Sequence, residues 1–596
     1  MKHILFFVHY NKYNNLADYV IYTLKYIRPL FNKIVFISNS ILHDKQILEL
    51  TGLYETLIVR ENKGFDFGAW KDALLQEGWG NLKSYDNITL MNDTCFGPLY
   101  NIEVIYNGMA KKNVDFWGLT DQMSTATGMP GTDGPVPEHI QSYFMCFSKK
   151  IIVHSVFQKF WNNVLYEESV DDVIKKYETQ LTVLLKSNGF CCEAFYKATG
   201  IINLSIFCPD LCIINYVPFV KVKSFLYFQN TELIMQLLQK ETNYPVSLIA
   251  DYFFDIYGPA APLSITNRYF TPNSFSCGNI SDDLAKVAVH LHIEDLTNIE
   301  IFLAILDKCE LNFDLLITTD QDEIKVKVIQ CLQNHITGNN LVKVILLKKQ
   351  NKSFDFLPWV SMAPEYRRYD IVGYFYLKKL PAQCMDSAIH YYQELCDLLL
   401  IPVNAIINFF LFKEKVGIII PEISNLYAPF VPDNLNWEKT KILMNDLWKE
   451  MKCQKEIDFQ DASVRIFPYI FAFWFRPSVF EKISTLEKID DTLLSFFIDS
   501  NICQSINLLF VYLAWSEGFD FRISKYNAPK QEHYDFYSKL NNHIKKLNND
   551  IKKLNNEIDE LKMSKNYLIG RIVLFFPRFI KKHLKNLWIS VLILHK

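Results

Sequence analysis

The sequence reads as an α/β protein with two tandem, related domains, followed by a C-terminal coiled coil and a basic amphipathic helix. Three observations predict this. Short apolar runs alternate with amphipathic segments, the pattern of strands and helices in an α/β sheet. Landmarks of the first half return in the same order in the second. Beyond residue 530 the composition changes abruptly. At roughly 100 to 200 residues per domain, a chain of 596 residues predicts several domains rather than one core. Hydrophobic residues make up 50% and charged residues 21%, a composition that folds.

Taken in order, residues 4–9 form the first strand, 16–26 a helix, and 34–39 and 56–60 the next two strands. Asn62-Lys63-Gly64-Phe65-Asp66-Phe67-Gly68-Ala69-Trp70 is a turn leading into a helix that runs to about Glu77. Residues 88–91 are a further strand, ending in Asn92-Asp93-Thr94 and the breaker pair Gly97-Pro98. The pattern Asn62…Phe65-Asp66-Phe67…Trp70 recurs with identical spacing as Asn351…Phe354-Asp355-Phe356…Trp359. Val8-His9 has a counterpart in Val289-His290 or in His292, residues 34–39 in 315–319, and Tyr85-Asp86 in Tyr369-Asp370. Residues 144–150 resemble 472–478, and Gly189-Phe190 resembles Gly518-Phe519. The expected division is a domain at 1–225, a linker at 226–282, a second domain at 283–530, a coiled coil at 533–564 and a tail at 565–596.

In the coiled-coil segment Leu540, Ile544, Leu547, Ile551, Leu554, Ile558 and Leu561 follow alternating steps of four and three. Ile at a and Leu at d favour a parallel homodimer, against the alternative of a helix docked on its own domain. The tail carries Arg571, Arg578, Lys581, Lys582 and Lys585 among Leu, Ile, Phe and Trp588. Such a helix suits an anionic membrane surface, here the inner face of the cell membrane, or packs on the protein itself.

Lys+Arg number 62 against Asp+Glu 65, so there is no chain-wide cationic field and no nucleic-acid partner is expected. The 13 cysteines form no paired CxxC motif and read as reduced and mostly buried. The first ten residues are too short for a signal peptide, and no apolar run reaches the roughly 20 residues of a membrane span. The bulk of the protein is therefore expected to be soluble and cytoplasmic.

Ligands of an open α/β sheet sit beyond the carboxyl ends of its strands. That rule gathers His9 and Asn11 after the first strand, Asn62, Lys63, Gly64 and Asp66 in the turn, and Asn92, Asp93 and Thr94 at the later strand end. An amide, a glycine, a lysine and two carboxylates suit a nucleotide diphosphate. Asp93 is the candidate to hold a divalent cation, Mg or Mn, although a single carboxylate holds a hard cation less firmly than a pair. Two local alternatives stand: Asp66 as the N-cap of a helix beginning at Phe67, and Asp93 as the organiser of the turn before Gly97-Pro98. His139 follows a Gly-, Pro- and Thr-rich loop at 125–137 that could cover an acceptor. It is a candidate base or ligand, and Glu178, at the start of a helical stretch, is a candidate for acid/base work. Both also read as structural residues.

The segments 61–74, Leu90-Met91-Asn92-Asp93-Thr94-Cys95-Phe96-Gly97-Pro98, Asp115-Phe116-Trp117-Gly118-Leu119-Thr120 and 139–144 together resemble the rhamnan synthesis protein F family, over both halves. The resemblance implies a glycosyltransferase with two GT-A-like, Rossmann-like domains and a nucleotide-sugar donor. It further implies a glycan or lipid-linked glycan acceptor of cell-surface polysaccharide or lipopolysaccharide, with rhamnose as one candidate sugar. A non-catalytic glycan-binding or scaffold protein is the competing reading. The chain departs from the family pattern at Phe65, where an Arg is common, and at Tyr376-Leu377-Lys378-Lys379-Leu380, where a His-x-Lys-x-Ser-like stretch is expected. Leu377 aligns with Asp93. The first half is therefore expected to hold the active centre and the second to bind acceptor or act as a scaffold, while Asp355 and Lys378 keep open the reverse assignment or two active centres.

Overall fold

The structure, a computed structural model, describes residues 1–125, 135–197, 203–227, 230–272, 285–296, 299–309, 311–333, 341–347, 357–378, 394–422, 437–459, 472–480 and 500–525, with isolated positions elsewhere. The loop repeat at 351–356, including Asp355, most of the loop before His139, Lys379 and Leu380, almost all of the coiled-coil segment and the whole basic tail lie outside the described residues.

The strands of the first half are β1 (His3–His9), β2 (Lys33–Ser38), β3 (Thr56–Val59), β4 (Asn87–Asn92), β5 (Cys95–Phe96), β6 (Phe116–Gln122), β7 (His139–Ile140), β8 (Phe144–Ser148) and β9 (Cys192–Tyr196). They assemble in the order β3-β2-β1-β4-β8-β6-β7, with β9 beside β6 and β5 outside the sheet. The first four are parallel. β8 runs antiparallel to β4 and to β6, and β9 is parallel to β6. Alternate residues of β1 serve opposite faces. Leu5 and Phe7 enter one core, and Ile4, Phe6 and Val8 enter the other. Burial on both faces is why β1 is a continuous apolar run rather than an alternating one.

The segment expected as a linker, 226–282, is largely helical in its described part and packs mainly into the first core, with Phe254 and Leu263 turned to the second. Helices Thr231–Glu241 and Ser247–Tyr257 place Ile234, Met235, Leu238, Ile249 and Phe253 against the same face as Leu5 and Phe7. Its prolines sit at helix ends: Pro259 lies in the turn Gly258–Ala260 and Pro262 caps the helix Leu263–Thr266. A short β10 (Val220–Lys221) pairs antiparallel with β5.

β11 (Tyr269–Phe270) crosses to the second sheet, which contains β12 (Val287–Ile293), β13 (Asp314–Thr319), β14 (Val342–Leu346), β15 (Ile371–Leu377), β16 (Val416–Pro421), β17 (Ala472–Phe475) and β18 (Asp520–Ser524). Its order is β11-β18-β16-β17-β15-β12-β13-β14. Apart from the added β11 and the lack of a β7 counterpart among the described residues, this is the strand order of the first sheet. The parallel and antiparallel pairings also match. Two details fix the correspondence. Lys2 N–H donates to Asp86 Oδ2 at 2.7 Å and Lys286 N–H to Asp370 Oδ2 at 2.8 Å. Val8 pairs with Asn92 where His292 pairs with Tyr376. The register thus puts His292 at the place of Val8 and His290 at that of Phe6. His9 corresponds to Ile293, so the suggested match of His9 with His290 is corrected. Leu377 does stand opposite Asp93.

The two halves meet within one compact unit. Trp515 Nε1 donates to the Phe254 carbonyl at 3.0 Å, and Arg268 bridges Asp251 at 3.1 Å and Asp520 at 3.0 Å. Among the described residues no helix is long and apolar enough to cross a membrane. All described cysteines are free; Cys95, Cys146, Cys212 and Cys396 are buried, whereas Cys191 is exposed.

Candidate active site

At the carboxyl ends of β1, β2, β3 and β4, the four loops are tied together by side chains. Tyr10 N–H, just past β1, donates to Asp93 Oδ2 at 3.0 Å, and Tyr19 Oη donates to the Asp93 carbonyl at 2.6 Å. Asp93 therefore clips the first loop to the end of β4 rather than organising the turn before Gly97. Asn92 does the local work, accepting from Thr94 Oγ1 at 2.7 Å on Oδ1. Its amide nitrogen donates to Asp66 Oδ2 at 3.0 Å. The turn bearing Asp66 and the strand end bearing Asp93 thus converge through one asparagine.

The Asp66 turn is held from beneath. Asn39, after β2, donates to Asn62 Oδ1 at 3.0 Å and to the Phe65 carbonyl at 3.2 Å. Arg60 donates to Asn39 Oδ1 at 2.8 Å and to the Lys63 carbonyl at 2.7 Å, and its Nε pairs with Asp72 at 2.9 Å. The helix Phe65–Glu77 starts from Gly64, which has φ +70°. Asp66 is consequently in the first helical turn and not its cap; its Oδ1 accepts the N–H of Phe67 at 2.9 Å. Phe65 has φ +53°, a left-handed conformation that is costly for a bulky side chain. Strain of this kind concentrates where surroundings over-determine the backbone, as the Asn39 clamp does here.

The electrostatics follow from burial and crowding. Removal from water, and next the nearby Glu178, push the Asp66 carboxyl up to about 6. Asp93 is pushed up to about 7, mainly by desolvation; the Tyr10 N–H opposes the shift and the Asp66 charge adds to it. Glu178 ends a π-helical turn, Ile174–Glu178, rather than opening a helix, and its Oε1 accepts from Ser142 N–H at 2.9 Å. One extra residue in a turn re-aims a side chain, and such turns recur at functional sites.

Other expected site residues are placed elsewhere or spent on the fold. His9 lies on the core-facing side of β1, buried against Phe36, with Nδ1 3.1 Å from Ser38 Oγ and Nε2 3.3 Å from the Asn15 carbonyl. Burial drives its pKa down to about 4, so the ring is neutral and engaged at both nitrogens. Asn11 uses its side chain to accept the N–H groups of Tyr13 and Asn15, closing its own loop. Lys63 points to solvent, its side chain 70% exposed and paired with Glu61. His139 is buried on β7 with Nδ1 2.8 Å from the Pro137 carbonyl, a local structural contact. Thr94 is exposed at the rim.

Sequence reasoning missed Lys221. It pairs with Cys95 across the β5–β10 ribbon, two residues beyond Asp93, and its Nζ lies 5.0 Å from the Tyr143 ring centroid. The alternation Val220-Lys221-Val222-Lys223 is the strand-like signal in the sequence, although the strand itself ends at Lys221; nothing in it says which strand it meets. Arg60 was missed as well.

Among the described residues no three His, Cys, Asp or Glu side chains are grouped to hold a metal. Asp93 does suit the other kind of site, in which a hard cation takes one or two carboxylates and completes its shell with substrate phosphates and water.

An open, largely parallel sheet with polar loops drawn together at its carboxyl edge defines a Rossmann-like α/β protein whose first half gathers Asp66, Asn92 and Asp93 at the ligand position. The chain belongs to the rhamnan synthesis protein F family, which matches residues 34–519. It is similar, at 23% identity over 170 residues, to "Uncharacterized protein y4gN" of Sinorhizobium fredii; the match covers 28% of this chain and 42% of that protein, so less than half of the relative's length is spanned. Among solved structures it is similar to the mannosyltransferase PcManGT from Pyrobaculum calidifontis in complex with GDP-Man and Mn2+, with 11% identity, 49% of this chain and 71% of that chain covered, and a TM-score of 0.23. It is also similar to core-mannan synthase A from Aspergillus fumigatus in its Mn/GDP form, at 11% identity, 30% and 69% coverage and a TM-score of 0.19. A third is 4-diphosphocytidyl-2C-methyl-D-erythritol synthase from Anaerococcus prevotii, at 10% identity, 36% and 97% coverage and a TM-score of 0.21.

Proposed function

We propose that the protein is a glycosyltransferase that moves a sugar from a nucleotide-sugar donor onto a cell-surface polysaccharide or lipopolysaccharide acceptor, with its active centre in the first half. The observation that carries this reading is the convergence of Asp66 and Asp93, through Asn92, at the carboxyl edge of the first sheet. Membership of a family named for rhamnan synthesis supports the polysaccharide setting and makes rhamnose the first sugar to test.

Asp93 faces the donor's phosphates. A divalent cation would be held there jointly by Asp93 and those phosphates, supplying positive charge against the leaving diphosphate. Asp66, whose pKa burial and Glu178 raise to about 6, is assigned the proton of the acceptor hydroxyl; a base works best when its pKa lies near the working pH. The second half, with Leu377 in the place of Asp93 and Tyr376 in that of Asn92, is assigned acceptor holding or scaffolding. The coiled coil at 533–564 and the basic tail at 565–596 are assigned dimerisation and docking on the inner face of the membrane, on their sequence pattern alone.

A thermal-shift screen of nucleotide sugars and nucleoside diphosphates, with and without Mn2+, tests the donor site, because a ligand of the folded state stabilises it by mass action. One nucleotide class is expected to raise the melting temperature. Mn2+ is expected to act mainly in its presence, since the metal's shell is completed by phosphate. A full shift from Mn2+ alone would contradict the shared site, and no shift from any donor would favour a glycan-binding scaffold.

A further inference from the structure

The carboxyl edge of the first sheet gathers three carboxylates, Asp66 interacting with Glu178 and Asp93 with Asp66, and a cluster of like charges drawn out of water needs a cation. Lys221 lies beside them in the chain fold and its charge interacts with Asp66 and Glu178. Backbone pairing fixes its place: Lys221 and Val220 lie opposite Cys95 and Phe96, and Val222 N–H donates to the Thr94 carbonyl at 2.9 Å. The ring of Tyr143 fixes its head group. That ring is itself anchored, its Oη lying 2.9 Å from Thr120 Oγ1 deep in the sheet. Lys221 makes no ion pair among the described residues, although its charge interacts with those of Asp66 and Glu178. Desolvation, the largest influence, lowers its pKa, and the neighbouring Lys223 adds to this. A half-buried ammonium without an ion-pair partner is costly unless something brings it an anion. No carboxylate forms an ion pair with Lys221 among the described residues, so its charge is available to an anionic ligand.

Building on the donor-site reading above, we propose that Lys221 binds the diphosphate of a nucleoside-diphosphate ligand, entering from the β5–β10 side of the crevice opposite Asp66. The lysine supplies a fixed positive charge at the leaving group, where a transferase accumulates negative charge as the glycosidic bond to the diphosphate breaks. Tyr143 is its positioning residue.

The test compares wild type with Lys221→Met and Lys221→Arg in the full chain, titrated calorimetrically with UDP, GDP, dTDP and the corresponding nucleosides, in Mg2+ and in EDTA. Methionine keeps the bulk and the apolar stem while removing the charge. Lys221→Met is expected to weaken the best-bound diphosphate by roughly 10- to 100-fold, the range for one hydrogen bond to a charged group. The matching nucleoside should bind as to wild type, and Lys221→Arg should restore most of the diphosphate affinity. The melting temperature of the unliganded Lys221→Met protein should equal or exceed that of wild type, because an uncompensated charge has left a desolvated position. Unchanged diphosphate affinity in Lys221→Met would overturn the assignment while leaving the donor site standing. A lower melting temperature with equal loss of diphosphate and nucleoside would make Lys221 structural and overturn it too. If wild type binds no nucleoside diphosphate at all, the donor-site reading itself fails and the lysine's role with it.

Discussion

Asp93→Asn separates stability from function. In the fold the carboxyl is held at about 7 instead of the ordinary 3.8. The folded protein therefore keeps a proton that the unfolded chain releases, and stability declines as pH rises from about 4 through about 7. Above that window, ionising Asp93 in the fold costs about 4 kcal/mol more than in the unfolded chain. Residual solvent around a half-buried carboxyl leaves about 2 kcal/mol of this to be measured. Asparagine keeps an oxygen to accept the Tyr10 N–H and never ionises. Melting followed by scanning calorimetry should show variant and wild type within error just below pH 4, about a third of the full difference at pH 5, and the variant higher by roughly 2 °C at pH 8. Sugar transfer from the donor identified by the screen should be lost at both pH values. A variant that melts lower at pH 8, or a difference independent of pH, would show that Asp93 is not desolvated as described. Wild-type turnover in a folded variant would end its assignment to the active site.

The acid pair also sets a pH dependence. Asp66 and Asp93 must both be ionised to take a proton and to face a cation, so kcat/KM should rise from about pH 5.5 to about 7.5, with apparent values that belong to the pair rather than to either residue. A rate flat across that range would remove both from catalysis. Gly68→Ala puts a methyl group 2.5 Å from the Lys63 carbonyl, which Arg60 holds; a loss of about 1–3 kcal/mol and weaker donor binding are expected. Gly108→Ala, in the helix Ile102–Lys111 with open space around the new carbon, is the control and should stabilise by about 0.5–1 kcal/mol without touching donor affinity.

Reading β1, β2 and β4 from sequence worked because parallel strands covered on both faces must be apolar throughout. The return of Asp86 as Asp370 could be seen because each anchors a strand through the same backbone N–H. Asp66, Asn92 and Asp93 were found by the rule that polar residues past an apolar strand face the crevice. The same rule overreached at His9. Strand alternation turns that residue into the core, and the sequence carries no sign of where a strand's last side chain points. Residues 226–282 read as a connector because Pro, Ser, Asn and Gly punctuate them, yet Ile234, Leu238, Ile249, Phe253 and Ile265 pack as a helical layer of the first core and Phe254 packs with the second.

What this sequence determines unaided is therefore the local and periodic part: the strands, the tandem repeat, the strand-end polar residues and the family to which they belong. Each depends on spacing within a short stretch of chain. Which loops meet is a different matter. Asn92 bridging to Asp66, Arg60 reaching under Lys63, and Lys221 arriving beside Tyr143 join residues far apart in the chain, and only packing selects those pairs. The pKa values that make the acids chemically useful come from the same source, since burial and neighbouring charge exist only once the chain has closed around them.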